Sequence, residues 1–308
     1  MLQGRRREIA RWISEDLCVD AAKRCNLSCV FCHSPQRGSC SSRAKVLRQL
    51  KARDVRAVNL EGGGEPTLNP DFFGWLDFLR ANGVERFTLS TNAVALADPA
   101  FCRRAEARID FFVVNLPACD ARTYRRLTRS SLFPRAVRGI ENLVSLGAGP
   151  KVRLFHVVCK PNYRWLPEFA AWVAARFPEI AFTNLTFVRG LGRARGDAGI
   201  LPTYREVSPF VKSALARLKE AGRKAVIQNM PLCALRGFEG FSYEFQRWRR
   251  GDSVLEHGLA AKARCPRCRG CGLEPACCGA RPDYVSVHGD GDLRPSGRAP
   301  ESLLPEGF

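Results

Sequence analysis

Between Leu17 and Phe187, short apolar or β-branched runs alternate six times with longer amphipathic stretches, and no other feature narrows the fold as far. A strand that returns to pair in parallel needs a crossover of a dozen or more residues, whereas an antiparallel partner needs only a tight turn. The alternation therefore reads as repeated βα units on a parallel sheet. Strands are predicted over residues 17–22, 55–60, 86–90, 110–115, 152–158 and 181–187, with helices over 43–51, 70–81, 99–107, 131–146 and 164–176. Pro70 and Pro99 fall where a first helical turn tolerates proline, and Asn69 and Asp98 before them suit N-capping. Six units over about 190 residues fall short of the ~250 that a closed eight-unit barrel takes, so the expectation is an α/β fold with a partial (β/α)6 TIM-like barrel.

After Gly190 the texture changes. Residues 191–199 form a glycine-rich connector, and a helix is predicted over 203–221 with a short strand over 224–228. From Met230 onward the chain is rich in Cys, Gly, Pro and Arg and has little regular periodicity. Such a segment buries too little apolar surface to hold itself together, and a metal centre is the usual staple in a reducing compartment. The organisation expected is a barrel at 1–195, a connecting helix and strand at 196–232, and a small Cys-rich cluster-binding segment at 233–308.

Hydrophobic residues make up 45% of the 308 and charged residues 26%, a globular composition that excludes disorder. Apolar runs such as 111–114 and 169–175 are far shorter than the ~20 residues of a membrane-spanning helix. Arg5, Arg6 and Arg7 are followed by no apolar stretch of secretory length. The expectation is a cytoplasmic protein without membrane contact. Thiols are kept reduced there, so the fourteen cysteines point to metal ligation rather than disulfides. The formal charge is +19, with 40 Arg against 9 Lys spread over every segment. A diffuse excess favours acidic partners in general and does not by itself mark a nucleic-acid surface.

Cys25, Cys29 and Cys32 stand in CNLSCVFC, a C-x3-C-x2-C run at the C-terminal end of the first predicted strand. That edge carries the active site in βα folds. Three thiolates on one loop can hold three irons of a cubane cluster and leave the fourth open to a ligand. The spacing also suits a zinc site completed by His33 or Cys40.

These residues carry a family resemblance. CNLSCVFC, with Phe31 before its last cysteine, is similar to the signature of the radical S-adenosylmethionine (radical SAM) superfamily. After the second predicted strand, Gly62, Gly63, Gly64, Glu65 and Pro66 resemble that superfamily's GGEP motif. The resemblance covers about Leu17 to Arg195 and implies a [4Fe–4S] cluster at Cys25, Cys29 and Cys32 with S-adenosylmethionine at its open iron. It places Gly63, Gly64 and Glu65 at the methionine amino group, and it implies cofactor contacts for Phe31, Ser90, Asn92, Asn115, Asn162 and Arg193. Helix capping for Ser90 to Asn92 and a turn role for Asn162 are the plain alternatives. In such enzymes the reduced cluster passes one electron into the sulfonium, and the released 5′-deoxyadenosyl radical abstracts hydrogen from an unactivated C–H bond. The protein orients the substrate and excludes water, and no further catalytic side chain is assigned.

Cys233, Cys265, Cys268, Cys271, Cys277 and Cys278 crowd the last quarter of the chain. Cys268, Cys271 and Cys277 give C-x2-C-x5-C, and with Cys233 they resemble the SPASM or shorter Twitch tails of many radical SAM enzymes. That resemblance implies a second, auxiliary [4Fe–4S] cluster with those four as preferred ligands, and a hairpin-like end at Tyr284 and Gly289. Cys265 and Cys278 leave the choice within the set open, and the cysteines are too few for two complete auxiliary clusters. A zinc knob built from C-x2-C pairs is the structural alternative. Cys18, Cys40, Cys102, Cys119 and Cys159 read as small core residues. Arg247, Arg249, Arg250, Arg264, Arg267 and Arg269 surround the segment; they suit the offset of a cluster's negative charge better than an RNA face, since no aromatic series accompanies them.

The function expected is radical modification of a peptide or protein, because SPASM and Twitch tails resemble those of peptide maturases. The partners implied are that peptide, an electron donor such as flavodoxin or ferredoxin and, with 24 residues before Cys25, a separate leader-binding protein. Modification of RNA or a small metabolite is the second reading. A non-enzymatic iron–sulfur or zinc-binding scaffold is the reading from another class.

Overall fold

The computed structural model describes residues 17–34, 40–251 and 265–307. Strands follow one another in the sheet as in the chain: β1 (Leu17–Asp20), β2 (Ala57–Glu61), β3 (Arg86–Thr91), β4 (Phe111–Asn115), β5 (Val152–Val158), β6 (Phe182–Phe187) and β7 (Ala225–Gln228). The registered pairs are parallel. Helix α1 (Arg43–Arg53) follows β1, α2 (Phe72–Ala81) follows β2 and α3 (Pro99–Glu106) follows β3. Both α4 (Ala121–Thr128) and α5 (Phe133–Ser145) follow β4. Then come α6 (Leu166–Arg176) after β5, α7 (Tyr204–Glu220) after β6, and α8 (Tyr243–Trp248) and α9 (Pro282–His288) after β7. None of the helices among the described residues is long and apolar enough to cross a membrane.

The chain divides into two compact units. The first comprises the described residues up to Leu116, Asp120–Phe155 and Glu179–Ala181; the second comprises Pro117–Cys119, His156–Pro178 and the described residues from Phe182 on.

In the first unit, Val58 and Leu60 of β2, Phe87 and Leu89 of β3, and Phe112 and Val114 of β4 are fully buried. Leu76 and Leu79 of α2 and Ile140 and Leu143 of α5 are buried at helical spacing, the stripe by which a helix covers a sheet. Helix α3 opens as its sequence predicts, with Pro99 in its first turn and the Asp98 carboxylate accepting the Phe101 N–H at 2.7 Å. Helix α2 differs, beginning at Phe72 with Asp71 as its cap residue rather than at Pro70 after Asn69. Asn69 is used elsewhere: its Nδ2 donates to the Ala21 carbonyl at 2.6 Å and its Oδ1 accepts the Asp71 N–H at 2.8 Å.

The single helix predicted over 131–146 is preceded by a second one, α4, capped by Asp120 through the Thr123 N–H at 2.8 Å. Its end is a left-handed Arg129 with φ 54°. Cys18 and Cys40 are exposed and Cys119 is half-buried, so only Cys102 and Cys159 are the core residues expected of that group. Cys18 faces outward because β1 alternates and gives its inner face to Leu17 and Val19.

In the second unit β6 is buried at every position, as befits a parallel strand covered on both faces. Strand β7 pairs with it from Thr183↔Ala225 to Thr186↔Gln228, so the segment expected as a connector extends the sheet. Beyond β7 a small core of Leu232, Phe245, Leu273, Ala276 and Leu303 has Trp248, Cys271 and Cys277 packed against it. The end expected to be hairpin-like is instead helix α9: Pro282 starts it, and Gly289 stops it in a left-handed conformation at φ 69°. Tyr284 on that helix stacks on Tyr204 with ring centroids 3.8 Å apart. Arg5, Arg6, Arg7 and Arg264 lie outside the described residues.

Candidate active site

The loop after β1 carries the half-buried thiols Cys25, Cys29 and Cys32, with Phe31 buried between the last two. Its backbone is held from two sides. Ser28 and Val30 donate their N–H groups to the carbonyls of Thr128 and Leu127 at the end of α4, at 2.8 and 2.9 Å. The Arg24 carbonyl accepts the Glu65 N–H at 2.7 Å. The Leu27 N–H points at Cys25 Sγ from 3.4 Å, and Asn92 Nδ2 lies 4.0 Å from the same sulfur while donating to Asn26 Oδ1 at 2.7 Å. Burial pushes the Cys25 thiol above its ordinary value, against the Leu27 N–H, and the charges of Glu65 and Cys32 add to the rise. A bound metal reverses that balance, because a coordinating thiol is deprotonated outright.

The loop after β2 runs from Gly62 to Pro66. A Cβ on Gly64 would fall 2.3 Å from the Arg24 carbonyl oxygen, and one on Gly62, whose φ is +113°, would fall 1.6 Å from Asp20 Oδ1. Glycine thus lets the two loops lie backbone against backbone. Glu65 is buried and turned into the protein. Its Oε1 accepts from Thr91 Oγ1 at 2.6 Å, Thr67 Oγ1 at 2.7 Å and the Thr67 N–H at 3.3 Å, and its Oε2 accepts the Asn92 N–H at 2.8 Å. Burial raises its carboxyl pKa while these donors hold the ionised form. With about four lone-pair sites on a carboxylate, the protein itself uses most of them, and the half-exposed Gly63 and Gly64 remain as the outward part of the loop.

Ser90 Oγ donates to Asn59 Oδ1 at 3.1 Å, and Asn59 Nδ2 donates to Glu61 Oε2 at 2.6 Å, making a polar row across β2 and β3. Asn115 ends β4, and its buried Oδ1 has no hydrogen-bond partner among the described residues. Sequence reasoning misses Asn26, Asn59, Glu61 and Thr67; the signal available was Asn59 and Glu61 at alternate positions of an otherwise apolar strand.

Asn162 and Arg193 belong to the second unit. The Asn162 side chain clamps its own turn: Oδ1 accepts the Cys159 N–H at 2.8 Å, and Nδ2 donates to the carbonyls of Val157 and Pro117 at 2.8 and 3.0 Å. Arg193 is half-buried in the short turn Gly192–Ala194.

In the same unit Cys233, Cys268, Cys271 and Cys277 line one pocket. Leu232 and Gly279 each donate an N–H to Cys277 Sγ at 3.4 Å, and Ser296 donates to Cys271 Sγ at 3.3 Å. Backbone hydrogen bonds from Arg294 and Cys265 likewise favour the ionised forms of Cys233 and Cys268, although burial pushes both thiols up. Hydrogen bonds to sulfur of this kind hold and tune iron–sulfur groups. Cys265 and Cys278 do not line the pocket. Cys278 Sγ lies 3.6 Å from the Gly279 carbonyl, and its hydrogen bond to Cys277 pulls that thiol below its ordinary value. Of the surrounding arginines Arg267 lines the pocket and is joined there by Arg294, whereas Arg247 is buried in α8 and Arg249, Arg250 and Arg269 are exposed outside the lining.

Among the described residues no three His, Cys, Asp or Glu side chains converge tightly enough to hold a single ion. The two thiol sets fit larger, sulfur-containing groups: three thiols on one loop in the first unit, and four thiols met by backbone N–H groups around a pocket in the second.

A profile of the Radical SAM superfamily matches residues 21–173. Among curated proteins, the probable GTP 3′,8-cyclase of Methanopyrus kandleri is 37% identical over 163 residues, covering 51% of this chain and 52% of that protein. The mycofactocin maturase MftC of Mycobacterium tuberculosis is 30% identical over 195 residues, covering 60% and 48%. The chain spans about half the length of the curated relatives it matches. Among solved structures, native anSMEcpe with bound AdoMet superposes with a TM-score of 0.65 at 14% identity, covering 91% of this chain and 92% of that one. Streptococcus suis SuiB superposes with a TM-score of 0.52 at 19% identity, covering 73% and 53%. These two share the fold. The thiol loop, the glycine loop braced against it and the strand ends around them all fall within the matched stretch, and the chain belongs to the radical SAM superfamily of S-adenosylmethionine-dependent enzymes.

Proposed function

We propose that this enzyme modifies a peptide or protein by hydrogen abstraction, with a [4Fe–4S] cluster at Cys25, Cys29 and Cys32 and an auxiliary one at Cys233, Cys268, Cys271 and Cys277. When bound, the first cluster and S-adenosylmethionine supply a carbon radical able to take hydrogen from an unactivated C–H bond. The backbone at Gly63 and Gly64 holds the methionine amino group, with Glu65 bracing the loop from behind. The Asn115 Oδ1 offers an acceptor for a ligand hydroxyl. Phe31, Ser90 and Asn92 shape the same end of the sheet, and Asn162 acts by shaping its own turn.

The observation that carries the peptide reading is the four-thiol pocket beyond β7. MftC, a maturase, and SuiB, seen with its precursor peptide SuiA, support it as relatives. An electron donor of the flavodoxin or ferredoxin kind and a separate leader-binding protein complete the scheme. The second reading is a small-molecule substrate, favoured by the 37% identity to the probable GTP 3′,8-cyclase.

The discriminating experiment uses the anaerobically reconstituted chain with S-adenosylmethionine and reductant, and measures 5′-deoxyadenosine with either GTP or synthetic peptides encoded beside this gene. Stimulation by a peptide, with a mass change in that peptide, is the expected result. Stimulation by GTP alone overturns the peptide reading. No 5′-deoxyadenosine under any condition favours a scaffold, and its formation, abolished by Cys29→Ala, overturns that reading.

A further inference from the structure

Tyr124 sits in the middle of α4, the helix whose last carbonyls receive the N–H groups of Ser28 and Val30. Those two bonds fix the helix against the thiol loop. The Tyr124 side chain is fully buried, with its ring 5.5 Å from that of Phe133. Its hydroxyl is buried too and has no hydrogen-bond partner among the described residues. Proteins pair nearly all such groups, because a buried donor left unmatched costs free energy. The hydroxyl is thus an unused donor on the helix that holds the thiol loop.

We infer that the Tyr124 hydroxyl donates a hydrogen bond to the sulfur-rich group held by Cys25, Cys29 and Cys32, and thereby raises its reduction potential. The inference rests on the cluster reading proposed above. A hydrogen bond to cluster sulfur favours the reduced, more negative state, and it is one of the levers by which proteins set such potentials. Tyr124 is a positioning residue in this scheme: it gives up neither proton nor electron.

The test is a redox titration followed by electron paramagnetic resonance on the reconstituted full chain. The signal of this site is the part missing when Cys25, Cys29 and Cys32 are all replaced by alanine. Tyr124→Phe keeps the ring and removes the donor, while 3-fluorotyrosine at position 124 keeps the shape and strengthens the donor. Equal iron in the three proteins is expected, with a midpoint more negative for Tyr124→Phe and more positive for the fluorinated side chain. Iron retained with equal midpoints overturns the inference and leaves the cluster reading standing. Iron lost from Tyr124→Phe, with the fluorinated midpoint unmoved, makes Tyr124 a packing residue and also overturns it. An unaltered chain that takes up no iron at the three cysteines overturns the cluster reading itself.

Discussion

The Asn92 N–H donates to Glu65 Oε2 at 2.8 Å, and the Asn92 amide goes on to donate to Asn26 Oδ1 at 2.7 Å. One buried carboxylate thereby ties the loops after β2 and β3 to the thiol loop after β1. Glu65→Gln keeps the size but offers a single carbonyl oxygen, so one set of donors loses its acceptor. A buried N–H left unmatched costs about 1–3 kcal/mol. Glu65→Gln is expected to lower the urea midpoint at unchanged slope and to loosen iron at the first site while auxiliary iron stays. Glu65→Ala, which strips all four donors, is expected to be worse on both counts. An unchanged midpoint in both variants shows that the loops stand without the brace.

Gly64→Ala isolates the contact between the two loops. The added Cβ would lie 2.3 Å from the Arg24 carbonyl oxygen, so one backbone must move. Forcing atoms into a packed site costs typically about 1–3 kcal/mol. Gly83 has φ +89° and open space around it, which makes Gly83→Ala a control for left-handed strain without collision. Both variants are expected to be less stable, and Gly64→Ala alone is expected to hold less iron at Cys25, Cys29 and Cys32. Equal iron in the two removes the case for loop contact as the cause.

Thr203 and Glu206 form a reciprocal cap on α7: the Thr203 N–H donates to Glu206 Oε2 at 2.7 Å, and the Glu206 N–H donates to Thr203 Oγ1 at 3.1 Å. Thr203→Ala is expected to cost about 1 kcal/mol. The Thr203 N–H, helped by the charge of Lys160, holds the Glu206 carboxyl below its ordinary value. A group whose pKa is lower folded than unfolded adds stability above the unfolded pKa and loses it as pH falls through the folded one. Wild type is therefore expected to exceed Glu206→Gln in stability at neutral pH, with the gap closing below the ordinary carboxylate range. Urea melts of both proteins across that range check the sign, and a gap that widens on acidification contradicts it.

The strands were legible because each buries apolar residues at alternate positions or more; the predicted 152–158 coincides with β5. Helix α4 was not. Its sequence, ARTYRRLT, is too polar to announce a helix, and only Thr123, Tyr124, Leu127 and Thr128 turn inward. The three cysteines of the first loop were legible from spacing, and the set Cys233, Cys268, Cys271 and Cys277 that shares a pocket from its resemblance to SPASM and Twitch tails. What the carboxylate of Glu65 does was hidden, because its donors Thr67, Thr91 and Asn92 come from two loops that sequence alone does not bring together.

The auxiliary pocket allows the sharpest prediction, because six cysteines crowd that segment and only four face one space. Cys277 accepts N–H groups from Leu232 and Gly279, and Cys271 accepts one from Ser296, as sulfurs holding a negative cluster do. Cys278 points its sulfur toward the Gly279 carbonyl, and Cys265 is buried outside the lining. Replacing Cys233, Cys268, Cys271 or Cys277 by alanine is expected to remove about four irons per chain after anaerobic reconstitution, the content of one cubane. Cys265→Ala and Cys278→Ala are expected to keep those irons. The first-loop triple variant is expected to lose a separate set of about four. Retention of full iron by Cys277→Ala together with its loss from Cys278→Ala would reverse the assignment within that pair, and zinc in place of iron throughout the segment would make it a structural knob.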